Sequence, residues 1–152
     1  MTAEAKSTNL PSFYRVCQCK EGSLFNGPDM VFDHYTGVYM ICGSADPKSS
    51  HVLFEELIEW LSTADAVPPM GGELIVRLKF FNTTSALYLL KIFRKWLKLH
   101  ADNTITWMHE ADDELMKEAG TEYRSLLNER FSIVARLAPS FSKRSNRNAA
   151  II

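Results

Sequence analysis

Three hydroxyl side chains in a row, Thr83-Thr84-Ser85, follow Asn82 at the point where a period-2 hydrophobic pattern gives way to a period of 3.6. Two chemistries fit that place. A Thr or Ser oxygen there accepts a hydrogen bond from a backbone N–H in the first turn of a helix, which is ordinary N-capping. One cap uses one hydroxyl, however, and three stand together. The unpaired N–H groups and the helix dipole also receive an anion well, so a phosphoryl group would be accommodated here. Its added charge of about −2 would change the surface without breaking the fold.

Other candidate chemistries are weaker. Cys17-x-Cys19 offers two thiolates, but a zinc site normally takes four ligands. Cys42, His34, His51, His100 and His109 are scattered along the chain. An alternating strand would place Cys17 and Cys19 on one face, which suits plain burial, and no metal is expected. The run His109-Glu110-Ala111-Asp112-Asp113-Glu114 could chelate a hard cation. It equally suits the negatively charged start of a helix, and that reading is favoured. Lys91, Arg94, Lys95 and Lys98 could touch phosphates, but without interleaved aromatics they read as a solvated helix face. Trp60, Trp96 and Trp107 read as packing residues. No nucleophile elbow and no Gly-rich phosphate loop occurs.

Composition narrows the class. The 152 residues are 46% hydrophobic and 23% charged, as in an ordinary single-domain globular protein. Seventeen basic residues against eighteen acidic ones leave a net charge of −1, which argues against a nucleic-acid binder built on bulk charge and against disorder. No apolar run approaches the roughly 18 residues of a membrane span. The first residues, Met1-Thr2-Ala3-Glu4, lack a secretory pattern, and three cysteines suit reduced thiols. The expectation is a cytoplasmic protein without disulfide, membrane partner, nucleic-acid partner or cofactor.

The elements that would position these residues can be read from pattern. Residues 1–28 form a polar leader, with a first strand expected over Phe13–Cys19. Residues 30–33 and 38–42 read as a hairpin around His34-Tyr35-Thr36-Gly37. Ser49 or Ser50 would cap a helix carrying Leu53, Phe54, Leu57, Ile58, Trp60 and Leu61 on its apolar side. Glu73–Phe81 alternates, with Leu74, Val76, Leu78 and Phe80 on one face of a central strand. A helix follows to about His100, on the period Leu87, Leu90, Phe93 and Leu97. A strand around Ile105 and Trp107, a helix over 111–128 and a strand at 131–134 complete the domain of residues 29–138. Residues 139–152 read as a flexible basic tail. This alternation indicates an α/β fold: a mixed sheet with an N-terminal hairpin and three helices packed on it.

Several segments together resemble the SiaC family of bacterial regulatory phosphoproteins. Leu78-Lys79-Phe80-Phe81-Asn82-Thr83-Thr84-Ser85 is similar to the family's Leu-x-Tyr-Phe/Leu-Asn-Thr-Ser-Ser stretch. The segment from Trp107 through Asp112-Asp113 to Met116-Lys117-Glu118-Ala119-Gly120 is similar to its Trp-x-Tyr-x-x-Asp-Asp-x-x-Met-x-Glu-x-Gly pattern. Val31-Phe32-Asp33, Gly37-Val38, Ile41-Cys42-Gly43 and Glu59-Trp60-Leu61 agree as well. The sequence departs from the family at Thr84, at Leu87, where a Lys is usual, and over Gly43–Ser49.

The resemblance implies a non-enzymatic, STAS-like switch protein in the manner of anti-anti-sigma factors. A Ser/Thr protein kinase would phosphorylate Thr83, with Thr84 and Ser85 as fallbacks. A PP2C-type phosphatase would reverse this. The unmodified form would bind and activate a diguanylate cyclase, raising cyclic di-GMP and favouring biofilm growth, through Asn82, Thr84, Ser85 and Leu87. Two other functions compete: a small metal-dependent enzyme using His109–Glu114, and a constitutive assembly subunit without a switch.

Overall fold

A computed structural model describes residues 12–15, 28–45 and 50–137. The Cys17-x-Cys19 pair, the Ser49 cap candidate and residues 139–152 lie outside the described residues.

Six strands form one sheet in sequence order: β1 (Ser12–Arg15), β2 (Asp29–Asp33), β3 (Val38–Ser44), β4 (Glu73–Phe80), β5 (Thr104–Glu110) and β6 (Phe131–Arg136). The first three pair antiparallel, and β3 to β6 run parallel to one another. Helix α1 (Ser50–Leu61) joins β3 to β4, α2 (Thr83–Leu99) joins β4 to β5, and α3 (Glu114–Leu127) joins β5 to β6. Parallel neighbours require such crossovers, and crossovers of one hand that advance in one direction put every helix on the same face.

The burial pattern agrees. Tyr39, Ile41, Leu74, Val76, Ile105 and Trp107 alternate along their strands and are buried. Between them Met40, Ile75, Thr106 and Ser132 align across β3 to β6, all half-buried or exposed. One face therefore carries the core and the other stays open. Two aromatic groups fill that core. Phe32, Tyr39 and Trp96 meet under α1 and α2, and Phe93, Trp107, Tyr123 and Phe131 meet under α2 and α3.

Five expectations need correction. Phe80 is exposed rather than buried, because the β3–β4 register shifts between Gly43 and Ser44 and the alternation does not survive it. Phe81, assigned to the opposite face, instead packs edge-on against Trp107 at 5.8 Å. Leu87 is 64% exposed, and the buried stripe of α2 runs through Ser85, Leu89, Ile92, Phe93, Trp96 and Leu97. Ser50 lies inside α1 with a buried hydroxyl that has no partner, so it is not the cap. Helix α3 also starts three residues later than expected.

Candidate functional site

The hydroxyl run lies where β4 hands over to α2. Ala45 N–H donates to the Phe80 carbonyl, which closes the strand. Asn82 then turns extended (φ −106°, ψ −177°) and its Oδ1 accepts the Ser85 N–H at 2.8 Å. The N-cap is thus Asn82 and not a Thr or Ser, as expected from the triple hydroxyl. Asn is among the best caps because its short side chain reaches the third N–H. That assignment relieves the hydroxyls of the capping role. Thr83 and Thr84 are exposed on the first turn, whereas Ser85 is fully buried with its Oγ unpartnered.

The first turn is held from both sides. Tyr123 Oη donates to the Ala86 carbonyl at 2.8 Å, joining α3 to α2. Burial, then the Glu122 carboxylate, pushes the Tyr123 phenol well above its ordinary range, so it remains a donor. Tyr88 Oη donates to Glu55 of α1 at 2.7 Å. Leu87 stands between two shallow cavities. One of about 250 Å³ is lined by Thr84, Leu87, Tyr88 and Lys91. The other, about 180 Å³, lies between α2 and α3 and includes Phe81, Leu90, Ala119 and Leu126. An apolar ridge with a groove on each side is a shape that side chains of a partner can enter.

The second sequence motif turns out to be a packing unit. Trp107 Nε1 donates to the Met116 carbonyl at 2.9 Å, and the Met116 N–H donates to Asp113 Oδ1 at 3.1 Å. A Cβ on Gly120 would stand 2.5 Å from the Trp107 ring, so only glycine lets α3 approach this closely. Asp113 is therefore the capping carboxylate of α3, and Glu110 pairs with Arg136 at 3.0 Å. His109 is buried near the carboxyl end of β5, with Nδ1 bonded to the Glu110 carbonyl. Among the described residues no three His, Cys, Asp or Glu side chains cluster as metal ligands would. Cys42, among the described residues, is a free thiol. No helix among the described residues is long and apolar enough to cross a membrane.

With this geometry in place, comparison with known proteins becomes decisive. Residues 21–136 match the family described as SiaC family regulatory phosphoprotein. The chain belongs to the SiaC family. No curated protein matches it in sequence. SiaC of Pseudomonas aeruginosa shares its fold with a TM-score of 0.64 at 18% identity, over 84% of this chain and 99% of that one. Apo-SiaC of the same organism gives 0.59 at 20% identity, over 82% and 99%. A chain from the crystal structure of diguanylate cyclase SiaD in complex with its activator SiaC, also from Pseudomonas aeruginosa, gives 0.62 at 22% identity, over 75% and 96%. Within the SiaC family frame, the structure brings together Asn82, Thr83, Thr84 and Leu87 at one exposed corner and withdraws Ser85 into the core.

Sequence reasoning named Asn82 and Gly120 but gave neither its structural role, and it missed Tyr123 altogether. Asn82 as cap was legible, since Asn three residues before an N–H is a cap signal. Tyr123 and Gly120 act across α2–α3 and across α3–β5, and no local pattern announces such pairings.

Proposed function

We propose that this protein is the phosphorylation-gated member of a cytoplasmic partner-switching pathway, with Thr83 as its switch residue and no catalytic activity of its own. The unmodified form docks on a diguanylate cyclase and activates it. A Ser/Thr kinase modifies Thr83, and a PP2C-type phosphatase restores the binding form. One observation carries the reading: Thr83 is exposed on the first turn of a helix that a different residue caps, one turn from the Leu87 ridge. Membership of a regulatory phosphoprotein family and the fold shared with an activator solved on its cyclase support it.

The physics follows from the site. A phosphate on Thr83 brings about two negative charges to the rim of the Leu87 ridge. A partner burying that ridge must desolvate or repel the charge, and a loss of about 1.4 kcal/mol is already tenfold in affinity. Asp113 and Glu110 are committed to a cap and an ion pair, so the acidic run has a structural use.

The test is titration calorimetry against the cyclase. Wild type and Thr83→Ala bind alike. Thr83→Asp weakens binding partially and kinase-treated protein loses it by tenfold or more, with mass mapping placing the phosphate on Thr83. Equal affinity for all four forms removes Thr83 as the switch, and Thr84 is examined next.

A further inference from the structure

We infer that the gap between β4 and β5 is a binding site for a small hydroxyl-bearing phosphate compound, separate from the Thr83 corner. The two strands pair only from Glu73↔Thr104 to Val76↔Trp107. Beyond that point β4 continues to Phe80 beside β3, and β5 continues to Glu110 beside β6. The sheet therefore splits at the carboxyl ends of its central parallel strands, where ligands of open α/β sheets are held. Residues 77–80 and 108–110 face the split with ladder positions that β4 and β5 do not share.

A cavity of about 330 Å³ fills the split. Its volume is at the small end of natural ligand sites. Arg77 and Lys79 come from the open face of β4, Glu110 and Arg136 from β5 and β6, and Leu78 and His109 from the core side. Asp113 stands at the rim, where its oxygen caps α3. Arg136 offsets Glu110 at 3.0 Å. Arg77 and Lys79 against Asp113 leave the lining with a surplus of one positive charge, which selects an anion. Cys42 adds no charge, because burial and then Asp29 raise its thiol above the ordinary value while Arg77 only partly counters them.

His109 supplies the second requirement. It is 5% exposed, and its Nδ1 lies 2.8 Å from the Glu110 carbonyl. A carbonyl only accepts, so Nδ1 carries the hydrogen and Nε2 of the neutral ring is an acceptor. Among the described residues Nε2 has no hydrogen-bond partner, yet it is not among the atoms sealed from solvent. A nearly buried acceptor lining a cavity of net positive charge calls for a ligand with both an anionic oxygen and an O–H. Phosphate and its monoesters of polyols have both.

The experiment is an amide NMR titration of the unphosphorylated chain at pH about 8, above the ordinary imidazole range. The probes are inorganic phosphate, glycerol 3-phosphate and sulfate, at fixed ionic strength. Saturable shifts confined to residues 77–79 and 108–110 are expected with both phosphate probes. Sulfate, which has no hydrogen to donate, binds at least fivefold more weakly. Arg77→Ala with Lys79→Ala lowers phosphate affinity about tenfold at unchanged melting temperature, since both side chains are exposed. His109→Phe, which removes the acceptor, abolishes the preference for phosphate over sulfate. Absence of saturation, equal binding of sulfate and phosphate, or unaltered affinity in the Arg77/Lys79 double variant overturns the proposal. None of these readouts involves Thr83 or the cyclase.

Discussion

At the amino ends of the parallel strands, polar groups are tied to one another. At the carboxyl ends, Thr83, Thr84, Arg77 and Lys79 face solvent beside cavities. Arg130 dominates the first end. Its guanidinium donates to the carbonyls of Leu97, His100, Ala101 and Asn103 at 2.7 to 3.1 Å, closing the end of α2 as a cation suits the negative pole of a helix. Asn103, fully buried, accepts from Gly72 N–H and donates to the Trp96 carbonyl. His34 bridges the Tyr39 hydroxyl and the Asp65 carbonyl. Asp33 accepts from Ser12, Tyr14, Thr36 and the Tyr35 N–H. The contrast teaches a division of labour: one end secures the fold, so the other can carry exposed, chargeable groups without endangering it.

Breaking the secured end is expected to have the largest effect. Arg130→Ala removes four charge-assisted bonds and lowers stability by about 2–4 kcal/mol in urea unfolding. A loss below about 0.5 kcal/mol would show that the network is ornamental. Acid offers the next probe. Burial by itself would raise the Asp33 carboxyl, but the bonds from Tyr14, Thr36, Ser12 and Tyr35 outweigh it and bring it from 3.8 to about 2. A lowered folded value means stability present above the unfolded value and lost as pH falls through the folded one. Wild type should therefore weaken between pH 3.8 and about 2, and Asp33→Asn should be less stable at neutral pH and lack that component. Parallel pH profiles for the two proteins would refute the assignment.

The open end should respond least. Asn82→Ala loses one cap and costs about 1 kcal/mol, read as a shift in the urea midpoint. Thr83→Ala, with no cap to lose, should stay within about 0.5 kcal/mol of wild type. If Thr83→Ala costs more than Asn82→Ala, the hydroxyl has a structural duty and the contrast between the ends fails.

Much of this was legible in the sequence, for physical reasons that also mark where legibility stops. The strand-to-helix switch at Asn82 shows because periods 2 and 3.6 differ over a few residues, and α2 begins at Thr83 as that switch requires. Leu87 was misplaced because it lies close to the apolar stripe in angle, and only the three-dimensional course of α3 decides which neighbour is covered. Phe80 was misplaced because a register shift in a partner strand leaves no trace in the strand it affects. Arg130 and the split between β4 and β5 are long-range outcomes. A single Arg near a helix end, and two strands that simply stop pairing, look like any other surface residue and any other strand.

The reach of Arg130 bears on how the protein is made. The carbonyls it gathers lie 27 to 33 residues earlier in the chain. A polypeptide leaves the ribosome amino end first, and domains fold as units during synthesis. The carboxyl end of α2 must therefore wait, uncapped, until β5 and α3 have followed it out. Until then the far end of nascent α2 is held by Asn103 on the Trp96 carbonyl, without the four bonds of Arg130. Completion of the domain is thus signalled to an early helix by one late side chain, and products truncated before residue 130 should be left with a frayed α2 that cellular proteases can reach.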